Sequence, residues 1–291
     1  MRYHGTVIRP PSEADSYILQ VTYGCSHNRC TCCGTYQDKP FRPRELDQVL
    51  EDIKLAGTVI PHTRRVFLAD GDALVLNMKR LTTILHALND VFPNLERVGI
   101  YANAQNLLRK GPTDLEILNR KGLGIVYLGL ESGSDEVLKR IDKGATAAEM
   151  IEAVRKAKAA GMLVSVIGIL GIAGPGGSAD HARLTGQVVG QMDPDYFSML
   201  TLMLVPGTPL YREWQVGEFQ LLEAEEMLAE LRQVIENLDG LTRCVFRTNH
   251  ASNYLPLRGT FPEDKERLLS VLNAALACGR DVFRPEAWRG L

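Results

Sequence analysis

The chain has 291 residues, 45% hydrophobic and 23% charged, with a formal net charge of -2. This is an ordinary globular composition, and its balanced charge gives no reason to expect duplex DNA or another strongly charged partner. The opening MRYHGTVIRPPSEAD has no apolar core of signal-peptide type. No run reaches the roughly 18 apolar residues of a membrane span, so the expectation is a cytoplasmic chain with no membrane partner.

Short β-type runs alternate with helical runs along the chain. Strands are predicted at Tyr17–Thr22, Arg65–Ala69, Arg97–Tyr101, Gly124–Leu130, Leu163–Leu170 and Tyr196–Val205. They are near-continuous apolar runs, as expected of strands buried on both faces in a parallel sheet. Between them the apolar residues recur at helical spacing. Examples are Leu46, Val49, Leu50 and Ile53; Leu81, Ile84, Leu85 and Leu88; Met150, Ile151, Val154 and Ala157; and Leu184, Val188, Val189 and Met192. Met227, Leu228, Leu231, Val234, Ile235 and Leu238 form the strongest stripe, and Thr113–Arg120 a weaker one. Strand followed by helix, six times over, predicts an α/β chain whose right-handed crossovers curl the sheet into a parallel barrel or a doubly wound sheet. After residue 240 the pattern changes to a short run at Cys244–Arg247, a polar loop, and a helix from about Pro262 to Cys278. The expected organisation is a barrel over residues 1–240 and a C-terminal extension over 241–291, within one domain.

The chemistry-bearing residues fall at the C-terminal ends of the predicted strands, where parallel α/β folds place their sites. Four of the six cysteines crowd into Cys25-Ser-His-Asn-Arg-Cys30-Thr-Cys32-Cys33, directly after the first strand. Clustering of this kind points to metal or redox chemistry rather than a disulfide framework. Cys25, Cys30 and Cys33 have C-x4-C-x2-C spacing, and such a loop can wrap thiolates around a metal cluster. A structural zinc site takes four ligands. Three cysteines instead suit a cuboidal 4Fe–4S cluster with one iron open to a ligand. Cys32 competes with Cys33 as third ligand, and Cys33 is preferred for its spacing from Cys30. Cys244 and Cys278 are isolated and are expected to be buried thiols, so no auxiliary cluster is predicted.

The cysteine loop resembles that of the radical S-adenosylmethionine (radical SAM) enzymes, with one residue more than their usual C-x3-C-x2-C. Gly129-Leu-Glu131-Ser132-Gly133-Ser-Asp-Glu-Val-Leu, with the following Lys-Arg-Ile-Asp-Lys-Gly, resembles the fourth-strand segment of the same superfamily. Leu204-Val-Pro206-Gly207-Thr208 resembles its coproporphyrinogen-oxidase-like and tRNA-modifying members. The resemblance spans roughly residues 16 to 210. It implies a partial (β/α)6 TIM-like barrel, a single 4Fe–4S cluster held by Cys25, Cys30 and Cys33, and S-adenosylmethionine on the open iron.

The same resemblance implies cofactor contacts along the rim. Asp70-Gly71-Asp72 stands where relatives carry Gly-Gly-Glu to bind the methionine amine. Glu131 and Ser132 would meet ribose or methionine, although Ser132 can equally cap a helix with Asp135. Gly168 and Gly171 would pack the adenine; the usual glutamate after this strand is absent, and Gly174 is near its place. Asn103 can reach ribose or substrate, or close a local turn.

By resemblance, a flavodoxin or ferredoxin supplies an electron, S-adenosylmethionine is cleaved, and a 5′-deoxyadenosyl radical takes hydrogen from a substrate. The polar stretch containing Asn249, His250, Asn253 and Tyr254 is expected to help hold that substrate, with His250 able to shuttle a proton. Two other readings stay open: a non-catalytic iron–sulfur carrier or sensor, and a zinc-stabilised nucleic-acid-binding module.

Overall fold

In the computed structural model, which describes residues 2–290, the chain folds as two units. The first comprises residues up to 28, 35–128 and 156–164. It carries β1 (Tyr17–Gln20), the short β2 (Thr22–Tyr23) and β3 (Arg42–Pro43), α1 (Leu46–Val59), β4 (Arg65–Ala69), α2 (Met78–Val91), β5 (Arg97–Ala102), α3 (Ala104–Arg109), α4 (Pro112–Arg120) and the start of β6 (Leu123–Glu131). β1, β4, β5 and β6 form consecutive parallel ladders, with Tyr17 opposite Val66, Arg65 opposite Arg97 and Ile100 opposite Val126. Val66, Phe67, Leu68 and Ala69 are all fully buried, which is why β4 reads as an unbroken apolar run rather than an alternation. Leu81, Ile84, Leu85 and Leu88 form the buried stripe of α2, and Asn77 caps its start by accepting the Arg80 N–H at 2.9 Å.

The second unit comprises residues 29–34, 129–155 and 165 onward. Its elements are α5 (Asp135–Arg140), most of α6 (Ala147–Ala159) and of β7 (Leu163–Leu170), α7 (Ser178–Met192), β8 (Tyr196–Thr201), α8 (Pro209–Gln215), α9 (Ala224–Glu236), β9 (Cys244–Arg247), β10 (Arg258–Phe261) and α10 (Lys265–Cys278). β7, β8 and β9 run parallel, and β10 closes the order as an antiparallel partner of β9. α7 carries Gly186 and Gly190 one turn apart. A Cβ at either would lie 2.6 Å from the Val234 carbonyl oxygen or 2.0 Å from that of Asp239. Only glycine lets α7 approach the backbone at the end of α9 this closely.

Several boundaries differ from the sequence expectation. β8 stops at Thr201 rather than Val205. The ladder makes one more bond, Leu202 N–H to Leu170 C=O at 2.9 Å, before the Pro206–Gly207 turn takes over. Pro206 has no N–H to continue pairing, and Gly207 adopts φ +89°. The last helix starts at Lys265, because the Asp264 carboxylate accepts the Thr260 N–H at 2.8 Å in a turn before it. β10 was not expected: four residues with a glycine carry no periodicity, and only pairing with β9 makes them a strand. Cys244 is buried as expected, but Cys278 is exposed, at the end of α10 where the chain turns away from the core.

Candidate functional site

In the first unit, the segment after β4 is locked by hydrogen bonds. Asp70 is fully buried; its Oδ2 accepts from Gln20 at 2.8 Å, from the Gly24 N–H at 3.2 Å and from Lys39 Nζ at 3.0 Å, while its N–H donates to Thr22 Oγ1. Gly71 follows because nothing larger fits: a Cβ there would stand 2.4 Å from the Tyr36 ring and 3.0 Å from Cys25 Cβ. Asp72, also fully buried, accepts from Ser26 Oγ, from the Asn103 N–H at 3.1 Å, from Asn103 Nδ2 at 2.8 Å and from Asn106 Nδ2 at 2.5 Å. Burial raises its pKa against these hydrogen bonds, which favour the carboxylate. Asn103 is also the N-cap of α3, accepting the Asn106 N–H. The Asp-Gly-Asp element thus braces the start of the cysteine loop and the end of β5. Gln20, Lys39 and Asn106, which hold these aspartates, carried no motif; they show only as polar side chains buried by the fold.

In the second unit, the four-residue stretch Cys30-Thr-Cys32-Cys33 is pinned on both sides by backbone bonds, Thr31 N–H to Ile141 C=O at 2.9 Å and Leu210 N–H to Thr31 C=O at 3.0 Å. Cys32 packs against an apolar cluster of Val137, Ile141, Ile172, Leu202, Leu210 and Phe219. Burial, with a lesser contribution from the Glu131 carboxylate, pushes its thiol well above the ordinary range. Cys33 is exposed and Cys25 and Cys30 are part-exposed, and none of the three is in a disulfide. Among the described residues no three His, Cys, Asp or Glu side chains gather as ligands of a single metal ion would. A cuboidal cluster is instead gripped at separate corners. Thiols are the donors such a cluster takes, and the part-exposed Cys30 and exposed Cys33 of this stretch fit it.

Glu131 ends β6 in the left-handed region at φ +63°, a strained conformation for a non-glycine residue. Its Oε1 accepts from Lys143 Nζ at 2.6 Å. Desolvation would lower the Lys143 pKa, but Glu131 and the nearby Cys30 hold it above its ordinary value. Ser132 is not the helix cap: Ser134 caps α5 by accepting the Val137 N–H. Ser132 Oγ instead accepts the Ser134 N–H at 3.0 Å and contacts His181 Nδ1 at 2.8 Å. Gly133 is pressed against α7, where a Cβ would lie 2.4 Å from the Leu184 carbonyl oxygen, and its N–H donates to Thr185 Oγ1 at 2.9 Å.

Gly168 faces Met199 and Phe197, with a Cβ only 2.6 Å from the Met199 sulfur. Gly171, at φ +79°, has Met227 over it and donates its N–H to Glu230 Oε1 at 2.6 Å. Glu230 of α9 thus brings a buried carboxylate to the loop after β7. Glu230 also accepts from Ser178 Oγ and lies beside His181. Sequence reasoning had one signal for it, a glutamate on the apolar stripe of α9, and did not use it.

The polar stretch after β9 divides. Asn253 is buried and structural, bonding Met199 C=O, Thr248 C=O and Thr201 Oγ1. Tyr254 lies under the Arg289 guanidinium at 4.0 Å and donates to Glu286 at 2.8 Å; burial, first, and that carboxylate push its pKa up to about 12. Asn249 is exposed. His250 is half-buried beside Ser252, its pKa lowered by burial and by Arg284. Among the described residues no helix is long and apolar enough to cross a membrane.

Comparison with known proteins places this arrangement. An uncharacterized methyltransferase of Pyrococcus horikoshii is 24% identical over 209 residues, covering 70% of this chain and 43% of that protein. A putative methylthiotransferase of Methanocaldococcus jannaschii is 30% identical over 164 residues, 52% of this chain and 34% of that protein. The chain thus spans less than half the length of these relatives. Among solved structures, coproporphyrinogen III oxidase of Escherichia coli, described as a radical SAM enzyme, superposes with a TM-score of 0.57 at 16% identity, covering 77% of this chain and 52% of that one. That likeness shows the α/β fold of a partial TIM-like barrel. The family model of the radical SAM superfamily matches residues 19–179, more than half of the chain. The protein is therefore a member of the radical SAM superfamily, whose cofactors are a 4Fe–4S cluster and S-adenosylmethionine.

Proposed function

We propose that this chain is a radical SAM enzyme in which Cys25, Cys30 and Cys33 hold the 4Fe–4S cluster and the strand ends hold S-adenosylmethionine. The observation that carries the choice of third ligand is the contrast between neighbours: Cys32, partly buried, packs against the apolar cluster with its thiol pushed up, while Cys33 is exposed. A thiolate, not a thiol, ligates iron, so the exposed Cys33 is preferred to Cys32 as third ligand. When bound, cluster and S-adenosylmethionine together supply reductive carbon–sulfur cleavage to methionine and a 5′-deoxyadenosyl radical, which takes hydrogen from the substrate.

The chain's own residues bind, orient and exclude water. Gly71 and Asp72 brace the cysteine loop, and the Asp70–Gly71–Asp72 backbone meets the methionine end of the cofactor. Asn103, Glu131 and Ser132 meet ribose or the methionine carboxyl and amine, with Lys143 fixing the Glu131 carboxylate. Adenine is assigned to the backbone at Gly168 and Gly171, on the side that Met199 and Met227 leave uncovered. Of the four polar residues after β9, His250 and Asn249 are the two left to meet substrate, since Asn253 and Tyr254 are engaged in holding the loop. A flavodoxin or ferredoxin delivers the electron.

The test is anaerobic turnover of the reconstituted protein with S-adenosylmethionine and dithionite, read by mass spectrometry as 5′-deoxyadenosine. Formation of 5′-deoxyadenosine supports the reading. A chain that carries an intact cluster and binds the cofactor yet forms no 5′-deoxyadenosine overturns it.

A further inference from the structure

The two short strands β9 and β10 place a pair of arginines that no part of the site described above uses. Alternate residues of a strand face opposite ways. Cys244, Phe246 and Phe261 are buried on one face of this hairpin, with the Phe246 ring 5.7 Å from Phe197 and 5.4 Å from Phe261. That is the helix-covered face: Gly259 pairs with Phe246, and a Cβ on Gly259 would lie 3.0 Å from Leu268 of α10. Val245, Arg247, Arg258 and Thr260 therefore lie on the face turned away from the helices. Tyr196 and Ser198 of β8 continue that face, in register with Val245 and Arg247.

On this face Arg247 and Arg258 stand directly opposite one another. Both are exposed, and among the described residues neither guanidinium makes an ion pair or hydrogen bond. Like charges directly opposite in an antiparallel pair are destabilising, and no acidic residue shares the face within the paired register: its other members are Tyr196, Ser198, Val245 and Thr260.

The backbone under the two arginines is held firmly. Thr248 N–H bonds Leu257 C=O at 2.9 Å, Leu257 N–H bonds Thr248 Oγ1 at 2.8 Å, and Arg267 bonds Arg258 C=O at 2.9 Å. Arg247 is the last residue of β9 and is in register with Ser198, midway along β8. Two guanidiniums carried by directly opposed residues can offer their donors to one oxyanion.

We propose that Arg247 and Arg258 form a two-guanidinium clamp for an oxyanion group, a carboxylate or a phosphate, carried by the substrate. The proposal rests on the reading of the chain as a radical SAM enzyme. It assigns the substrate a chemical class: a molecule with an anionic group set apart from the carbon that loses hydrogen.

The experiment titrates inorganic pyrophosphate, and separately succinate, into the reconstituted full chain by calorimetry in a low-salt, phosphate-free buffer. Saturable binding of at least one anion is expected, weakened tenfold or more in R247Q and in R258Q, recovered only in part in R247K, which keeps the charge without the forked donors, and kept in R280Q, which alters an arginine elsewhere on the surface. Preference for pyrophosphate assigns a phosphate group and preference for succinate a carboxylate. As a check that needs no variant, pyrophosphate should protect Arg247 and Arg258 of the native chain from phenylglyoxal, read by peptide mass mapping. Absence of saturable binding, equal binding by the glutamine variants, equal weakening in R280Q, or absence of protection each overturns the clamp. S-adenosylmethionine cleavage is measured in the same preparation. Its failure with anion binding intact removes only the enzymatic reading, and cleavage without anion binding removes only the clamp.

Discussion

His181 Nε2 lies 3.6 Å from Glu230 Oε1, with both side chains fully buried. Although the separation is that of an ion pair, each group is shifted away from its charged form. Burial, largest in both cases, lowers the His181 pKa to about 4 and raises that of Glu230 to about 7. We therefore read a neutral imidazole beside a carboxyl group that titrates near neutrality. His181 reaches Ser132 after β6 and Glu230 reaches Gly171 after β7, so the two side chains tie together two strand ends of the second unit.

The pH dependence of stability follows from these directions. Glu230 holds its proton longer in the folded chain than in the unfolded one, so its contribution declines as pH rises from about 4.5 to about 7. His181 takes up its proton less readily when folded, so its contribution increases as pH rises from about 4 to about 6.5. The two slopes oppose one another over most of that range. Removing one partner should expose the other: His181→Gln should lose stability from pH 4.5 to 7, and Glu230→Gln should gain it from pH 4 to 6.5. Each slope is at most about 1.4 kcal/mol per pH unit. Urea midpoints across this range check both signs.

Glu230→Leu leaves the Gly171 N–H and the Ser178 hydroxyl without their acceptor. The expected loss is about 1–3 kcal/mol, with faster amide hydrogen exchange concentrated in residues 168–174. Glu230→Gln retains an acceptor oxygen and should restore most of the protection, a distinction that a general loss of packing would not produce.

The cysteine assignment predicts a sharp contrast within one loop. Cys30→Ala should lose the brown colour and the iron of the reconstituted protein, and with them cofactor cleavage. Cys32→Ala should keep the iron and lose only packing against Ile141, Leu202 and Phe219. Iron analysis and visible absorbance decide between them, and an intact cluster in Cys30→Ala would move the ligand assignment to Cys32.

Thiol accessibility gives an independent check in the cluster-free chain. Cys33 and Cys278 are exposed, whereas Cys244 is buried and Cys32 is packed with its thiol pushed up. Brief iodoacetamide treatment should label Cys33 and Cys278 first, Cys32 more slowly and Cys244 only on unfolding, as mapped by peptide mass spectrometry.

Gly133→Ala tests the approach of α7 to the end of β6. The added Cβ would meet the Leu184 carbonyl at 2.4 Å and the Thr185 nitrogen at 2.6 Å, both of them backbone atoms that cannot swing aside. A loss of about 1–3 kcal/mol is expected, whereas Gly176→Ala, where a Cβ would meet nothing within 4 Å, should change stability by less than about 0.5 kcal/mol. Thermal or chemical denaturation measures both.

By itself, the sequence determined the alternation of strand and helix, the parallel character of the strands and the cysteine loop, because each is a local pattern. An unbroken apolar run such as Val66–Ala69 records burial on both faces, a stripe such as Leu81–Leu88 records one helical face, and thiol spacing along a loop is covalent. Only the tertiary structure decided which polar residues act together. Glu230 meets Gly171, His181 meets Ser132, and Asn106 meets Asp72 across separations that no periodicity encodes. It also made a strand of Arg258–Phe261, and so set Arg258 opposite Arg247. Hydrogen bonds between distant segments form only where packing has already brought their backbones together, and that information lies in the whole fold rather than in any window of the chain.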